Sequence, residues 1–299
     1  DASFIHGKDM DEWSNFKEGL RLIKHQNEDV MEHILHLSLS DLPTHLRACF
    51  GYCSLFPDDF TFNKHDLISL WIAQGFVYPQ DDLSLEEVGE MYFKELSRRC
   101  FVEKESTDYL GNIITCKMHH IVRNLALKIT GGVANIHVTD YWIPVADPTL
   151  KHIFVNWRGD LSLKLSSPVL RFQSLRTVIL VKEPYCDLKV DTLVRNLLIS
   201  SCNRLRVLDL HDLGLEVLPD SIGEQIHLRY LDLSKNDGLV TLPKSFTRLH
   251  NLQTLKLNSC RNLTMLASDF GLLVNLRRVE VGDWDRLTCM PLGLEKLTQ

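Results

Sequence analysis

No apolar run in this sequence approaches the ~18 residues of a membrane-spanning helix, and no basic segment leads into a hydrophobic stretch at the N-terminus. Neither a membrane span nor a secretory leader is expected. The 299 residues include eight cysteines but no CxxC pair. A chain this long does not need a disulfide framework, so the cysteines read as reduced thiols of a cytosolic protein, with nuclear or peripheral membrane residence also open. There is no G-x-S-x-G elbow and no catalytic-cysteine signature, and no G-x-x-x-x-G-K-[ST] loop whose amides and lysine would cradle phosphates. Enzyme chemistry is therefore not expected. What is present, 44% hydrophobic and 24% charged residues, is the composition of a folded globular chain. The opening on Asp1 reads as an internal piece of a longer protein.

Charge is divided unevenly. Residues 1–149 carry 13 Lys+Arg against 23 Asp+Glu, a net of −10, and residues 150–299 carry 20 against 16, a net of +4. Two modules of opposite potential would favour docking; two modules each solubilised by its own charge explain the split equally well.

A period of about two dozen residues governs the second half. LRVLDLHDL starts at Leu205, LRYLDLSKN at Leu228, LQTLKLNSC at Leu252 and LRRVEVGDW at Leu276. Each unit has the L-x-x-L-x-L spacing of a leucine-rich repeat, and Asn236 and Cys260 stand where such repeats turn the chain out of the strand. A single unit cannot bury its apolar face, so units stack and share one core. Looser copies begin at Leu175 and Leu150, which sets residues 150–299 as the array; its end at Gln299, without a polar capping unit, reads as truncated. Alternation along each strand points Val207, Tyr230, Thr254 and Arg278, then Asp209, Asp232, Lys256 and Glu280, away from the core. Tyr230, Asp232, Lys256, Arg278 and Glu280 are the candidate protein-interaction residues on that exposed face, and a solvated face without a partner is the plain alternative.

The first half reads as helical. Leu46, Cys49, Phe50 and Cys53 form a buried stripe on a helix over 43–56, a second helix runs from Asn63 to Gly75, and Ser84 with Glu87 opens a third through a capping box. Two apolar stretches at 100–104 and 113–118 flank the turn signal Gly111-Asn112 and predict a hairpin, followed by a helix over 121–129. Helices followed by a hairpin make a winged helix. The expected fold class is α+β and multi-domain, a mostly helical winged helix followed by an α/β leucine-rich-repeat solenoid of horseshoe shape.

The run from Leu37 to Val77, with CFGYCSLFP and LISLWIAQGF, closely resembles the winged-helix subdomain of plant intracellular nucleotide-binding leucine-rich-repeat immune receptors of the coiled-coil class. Met118-His119-His120 resembles that family's Met-His-Asp motif, with His120 in place of the aspartate. The resemblance implies residues 1–33 as the tail of a preceding helical subdomain, 34–132 as the winged helix, 133–149 as a linker and 150–299 as the repeats. It further implies that His119 reads the phosphate of ADP in a full-length receptor, donating a hydrogen bond more strongly when protonated. Without a phosphate loop, this chain alone is not expected to hold ADP or ATP tightly. The repeats then meet a protein partner, a pathogen effector or a guarded host protein. Intramolecular docking would bring Lys151, Arg158, Lys164, Arg171 and Arg176 against Glu86, Glu87, Glu90 and Glu103.

Two competing readings are a nucleic-acid-binding winged helix on a repeat scaffold and a truncated repeat adaptor. The first suffers from the −10 of this half, because phosphate neutralisation needs a basic face. Cys49 and Cys53 lie on the apolar stripe without a second pair at zinc spacing, so they read as packed thiols.

Overall fold

The computed structural model describes residues 39, 41–80, 82–130, 133–138, 149–157, 174–182, 204–266 and 270–283. The expected tail at 1–33, the basic residues Arg158, Lys164 and Arg171, and the end of the array lie outside them. The chain divides into two compact units, Asp1–Thr130 and Gly131–Gln299.

In the first unit, α1 (Thr44–Cys53) buries Leu46, Cys49, Phe50 and Cys53 on the stripe its spacing dictates. β1 (Thr61–Asn63) leads directly into α2 (Lys64–Gln74). The Asn63 side chain accepts from the amides of His65 and Asp66, and Gly75 ends the helix at φ 76°, a left-handed position that costs glycine nothing. α3 (Leu85–Arg98) begins with a reciprocal cap: the Glu87 amide donates to Ser84 Oγ at 3.2 Å and the Ser84 amide to Glu87 Oε2 at 2.8 Å. Gly89 lets α3 lie close on α2, because a Cβ there would strike Ile68. Beside it Lys64, only 6% exposed, is paired with Glu90 at 3.1 Å.

β2 (Glu103–Thr107) and β3 (Ile113–Lys117) form the hairpin, and α4 (His120–Ile129) follows. β1 pairs antiparallel with the other edge of β3, with Phe62 opposite Cys116, so the wing is a three-stranded sheet rather than a plain hairpin. Its extra strand is only three residues long and gives no periodicity of its own.

The second unit is one parallel sheet in the order β10-β9-β8-β7-β6-β5-β4. β4 (Val133–Val138), β5 (His152–Trp157) and β6 (Thr177–Lys182) have six residues each; β7 (Val207–Asp209), β8 (Tyr230–Asp232), β9 (Thr254–Lys256) and β10 (Arg278–Glu280) have three. The expectation of a linker at 133–149 is corrected for its first six residues, with 139–148 outside the described ones: β4 pairs with β5 along its whole length, Val133 to His152 through Val138 to Trp157, and belongs to the sheet. It lacks the L-x-x-L-x-L spacing, which is why the array was placed at residue 150.

Behind the strands, 3₁₀ turns at Asp220–Glu224, Lys244–Arg248 and Phe270–Leu272 close successive units. Leu205, Leu208, Leu210, Leu228, Leu231, Leu233, Leu252, Leu255 and Leu257 are all 0% exposed in one continuous core. After each of β7 to β10 a non-glycine residue takes positive φ: Asp212, Lys235, Ser259 and Asp283, between 54° and 60°. Each of the first three donates its amide to the next unit, to Ser234, Asn258 and Gly282 respectively, and those bonds hold the strained turn.

Candidate functional site

The motif at the end of β3 divides into three roles. Met118 is buried at 3% exposure and anchors the segment. His119 is the N-cap of α4: its Nδ1 accepts from the Ile121 amide at 3.3 Å, while its carbonyl accepts from the Arg123 amide at 2.9 Å. His120 is exposed, its ring centroid 4.2 Å from that of His119. A ring nitrogen that accepts cannot carry a proton, so the cap requires the neutral tautomer with hydrogen on Nε2. An Nε2 hydrogen of this kind can be donated to an anion. The setting suits one, since the first amides of a helix carry partial positive charge.

Arg123, one turn further along α4, was not singled out by the sequence. Its Nε donates to the Phe56 carbonyl at 2.6 Å, and its guanidinium lies 3.4 Å from the Asp58 carboxylate. It ties the motif helix to the loop that follows α1 across 67 residues of sequence. A buried arginine on an apolar stripe was the available signal, and spacing alone does not say which carbonyl it seeks.

The thiols of this unit are packed. Cys53 Sγ donates to the Cys49 carbonyl at 3.3 Å; burial pushes both thiols far above their ordinary range, and Cys116 up to about 12. Such thiols are poor nucleophiles at neutral pH. Among the described residues, no group of three or more His, Cys, Asp or Glu is placed to hold a metal ion.

In the repeats, parallel register brings the predicted surface residues into neighbouring columns. Tyr230 lies between Val207 and Thr254, and Asp232 lies between Asp209 and Lys256, which is followed by Glu280. Lys256 Nζ sits 3.6 Å from Asp232 and 3.5 Å from Glu280, and Arg278 pairs with Glu280. The expected open face is corrected: Val207, Tyr230, Thr254, Asp232 and Lys256 are all buried, at 0% to 9% exposure, while Arg278 and Glu280 are half-buried. Strands ~4.8 Å apart pack their outward rows flank against flank, so alternation gives the side of the sheet and not the exposure.

Asp209 accepts from His211 Nδ1 at 2.7 Å, and that bond, against the opposing effect of burial, raises the imidazole to about 9. Asp232 is raised to about 6, chiefly by burial and then by Asp209. Both groups bind protons more tightly folded than unfolded. Stability from His211 is complete below its unfolded value of 6.5 and is lost as pH rises through about 9; that from Asp232 is lost between 3.8 and about 6. With His211 about a third exposed, solvent screening leaves about 1 kcal/mol. We expect urea denaturation to give falling stability from pH 6.5 to 9, and His211→Gln to remove most of that slope; an unchanged slope in the variant contradicts the assignment.

Residues 55–126 match the family model described as the disease resistance protein winged helix domain, and residues 189–299 match a leucine-rich repeat region. An Arabidopsis thaliana protein named a probable disease resistance protein is 33% identical over 238 residues, 75% of this chain and 26% of its own. The Arabidopsis thaliana disease resistance RPP13-like protein 4 is 31% identical over 231 residues, 76% of this chain and 25% of its own. The chain thus spans about a quarter of the length of these relatives. A solved Leptospira interrogans leucine-rich-repeat protein aligns at 30% identity with 42% of this chain and 30% of its own, at a TM-score of 0.33.

Proposed function

We propose that this chain, which belongs with the plant disease resistance proteins by its winged helix and leucine-rich repeats, is the switch and recognition segment of an intracellular immune receptor. In this reading the winged helix senses bound ADP, and the repeats, as a horseshoe array, meet a protein partner and dock on the switch. Residence is cytoplasmic; no helix among the described residues is long and apolar enough to cross a membrane. In this reading the chain is not an ATPase by itself, because its sequence holds no loop of the kind that cradles nucleotide phosphates.

The observation that carries the reading is His119 at the N-terminus of α4, with Nδ1 committed to the cap. That tautomer places hydrogen on Nε2, a donor suited to a phosphate oxygen approaching the helix N-terminus. His120, exposed beside it, replaces a family aspartate and so supplies no carboxylate to this corner.

One contact does not hold a nucleotide. Calorimetric titration of this chain with ADP is expected to show no dissociation constant in the micromolar range or tighter, because most phosphate amides come from the absent loop. In a longer receptor with such a loop ahead of this segment, His119→Ala is expected to reduce retained ADP and raise spontaneous cell death on transient expression. Unchanged ADP occupancy in that variant overturns the reading.

A further inference from the structure

Away from the motif, a cleft of about 340 Å³ in the repeat unit is lined by Arg176, Arg204, Arg206, His227, Arg229 and Asn251. The repeat itself assembles these residues. Arg176, Arg206 and Arg229 stand immediately before β6, β7 and β8. The Arg206 amide donates to the Arg176 carbonyl and the Arg229 amide to the Arg206 carbonyl, each at 2.8 Å, so the sheet ladder extends to this row. Three guanidinium side chains therefore leave the backbone at intervals of ~4.8 Å, the spacing of adjacent strands. Arg204, His227 and Asn251 stand two residues earlier in their units, on the same side of the alternation, while Leu205, Leu228 and Leu252 between them turn fully into the core.

Among the described residues no carboxylate lines the cleft, and like charges on neighbouring rungs oppose one another. Two neighbouring groups register the resulting potential. Burial, then Arg229 and Arg176, hold the Arg206 guanidinium below its ordinary value. Buried His152 is lowered to about 3 by desolvation and by Arg176, Lys151 and Arg206. A cleft at the N-terminal ends of β6, β7 and β8 that concentrates cations in this way attracts an anion.

We propose that this cleft binds a compact, multiply phosphorylated small molecule. Arginine forks give paired, charge-assisted hydrogen bonds to phosphate oxygens, and three forks one rung apart fit adjacent phosphate groups better than a single carboxylate. His227 and Asn251 add N–H donors. The volume lies in the range of small-molecule sites. A long polyanion is disfavoured: three residues beyond Arg206 and Arg229 the same strands carry Asp209 and Asp232, ~10 Å away along the chain. This site owes nothing to His119, so it stands or falls apart from the nucleotide reading.

The test is calorimetric titration of the full chain with tripolyphosphate at low and at high ionic strength. The expected result is one site with micromolar affinity that weakens as salt is raised. Arg206→Gln with Arg229→Gln should weaken binding about 100-fold or more and Arg204→Gln alone about tenfold, while Arg261→Gln, an exposed arginine outside the cleft, should change it less than about twofold. If the double variant loses its fold by circular dichroism, exposed Arg204 decides. Co-sedimentation with phosphatidylcholine vesicles carrying a few per cent phosphatidylinositol bisphosphate separates the sources. Sedimentation lost in the arginine variants assigns a lipid headgroup; soluble binding without sedimentation assigns a free phosphorylated metabolite. Absence of tripolyphosphate binding, or binding equally sensitive to Arg261→Gln, overturns the proposal.

Discussion

Replacing Asn236 by alanine is expected to destabilise the repeat unit by about 3–5 kcal/mol. The side chain is 0% exposed and both its donor and its acceptor bond to backbone. Nδ2 donates to the Leu210 carbonyl at 2.9 Å and the Leu233 carbonyl at 2.8 Å, and Oδ1 accepts from the Leu215 amide at 2.8 Å. It thereby joins the turn of its own unit to the strand and turn of the preceding one. Alanine takes the Asn236 partner from the Leu210 carbonyl and the Leu215 amide, each at a cost of about 1–3 kcal/mol, and leaves the Leu233 carbonyl with the Cys260 thiol. Asn236→Cys should be milder, because Cys260, in the same position one unit later, donates Sγ to the Leu233 carbonyl at 3.2 Å. A thiol replaces one of the three bonds and not the other two. Urea denaturation followed by circular dichroism orders the three proteins; an alanine variant within about 1 kcal/mol of the parent would mean that neighbouring units hold these turns without the asparagine.

Arg123→Leu in the winged helix is expected to cost about 2–3 kcal/mol. Two interactions compete to explain any loss: the 2.6 Å bond to the Phe56 carbonyl and the looser pairing with Asp58. The Asp58 side chain is 56% exposed, so its ion pair is screened and contributes at most a few tenths of a kcal/mol. The carbonyl is the partner that matters, since leucine cannot donate to it. Asp58→Asn should therefore be nearly silent, and Arg123→Lys should recover only part of the loss, because an ammonium lacks the fork that spans both partners. Comparable losses for Arg123→Leu and Asp58→Asn would reverse this ranking. The consequence reaches the motif: the same helix begins at His119, and loosening Arg123 frees its first turn relative to the loop after α1.

Local signals were legible wherever one residue or one period dictates the backbone. Asn63 and Gly75 bound α2, the Ser84–Glu87 pair opens α3, and Gly111 turns the wing at φ 84°. The leucine spacing placed β7 to β10 in register, because those positions share the core. β1 was missed because a three-residue strand has no period; it exists through its pairing with β3. β4 was missed because it belongs to the sheet by register with β5, without the repeat spacing.

The sequence by itself therefore determined the order of the two modules and the row of each repeat residue, since these follow from local conformation and periodicity. Tertiary structure decided the rest. Flank-to-flank packing of parallel strands buried Tyr230 and Asp232 on the face that alternation had left open. Arg123 met Phe56 because α4 folds back on the loop after α1. Arg176, Arg206 and Arg229, dozens of residues apart in sequence, became one cationic column because a parallel sheet converts a sequence period into lateral adjacency.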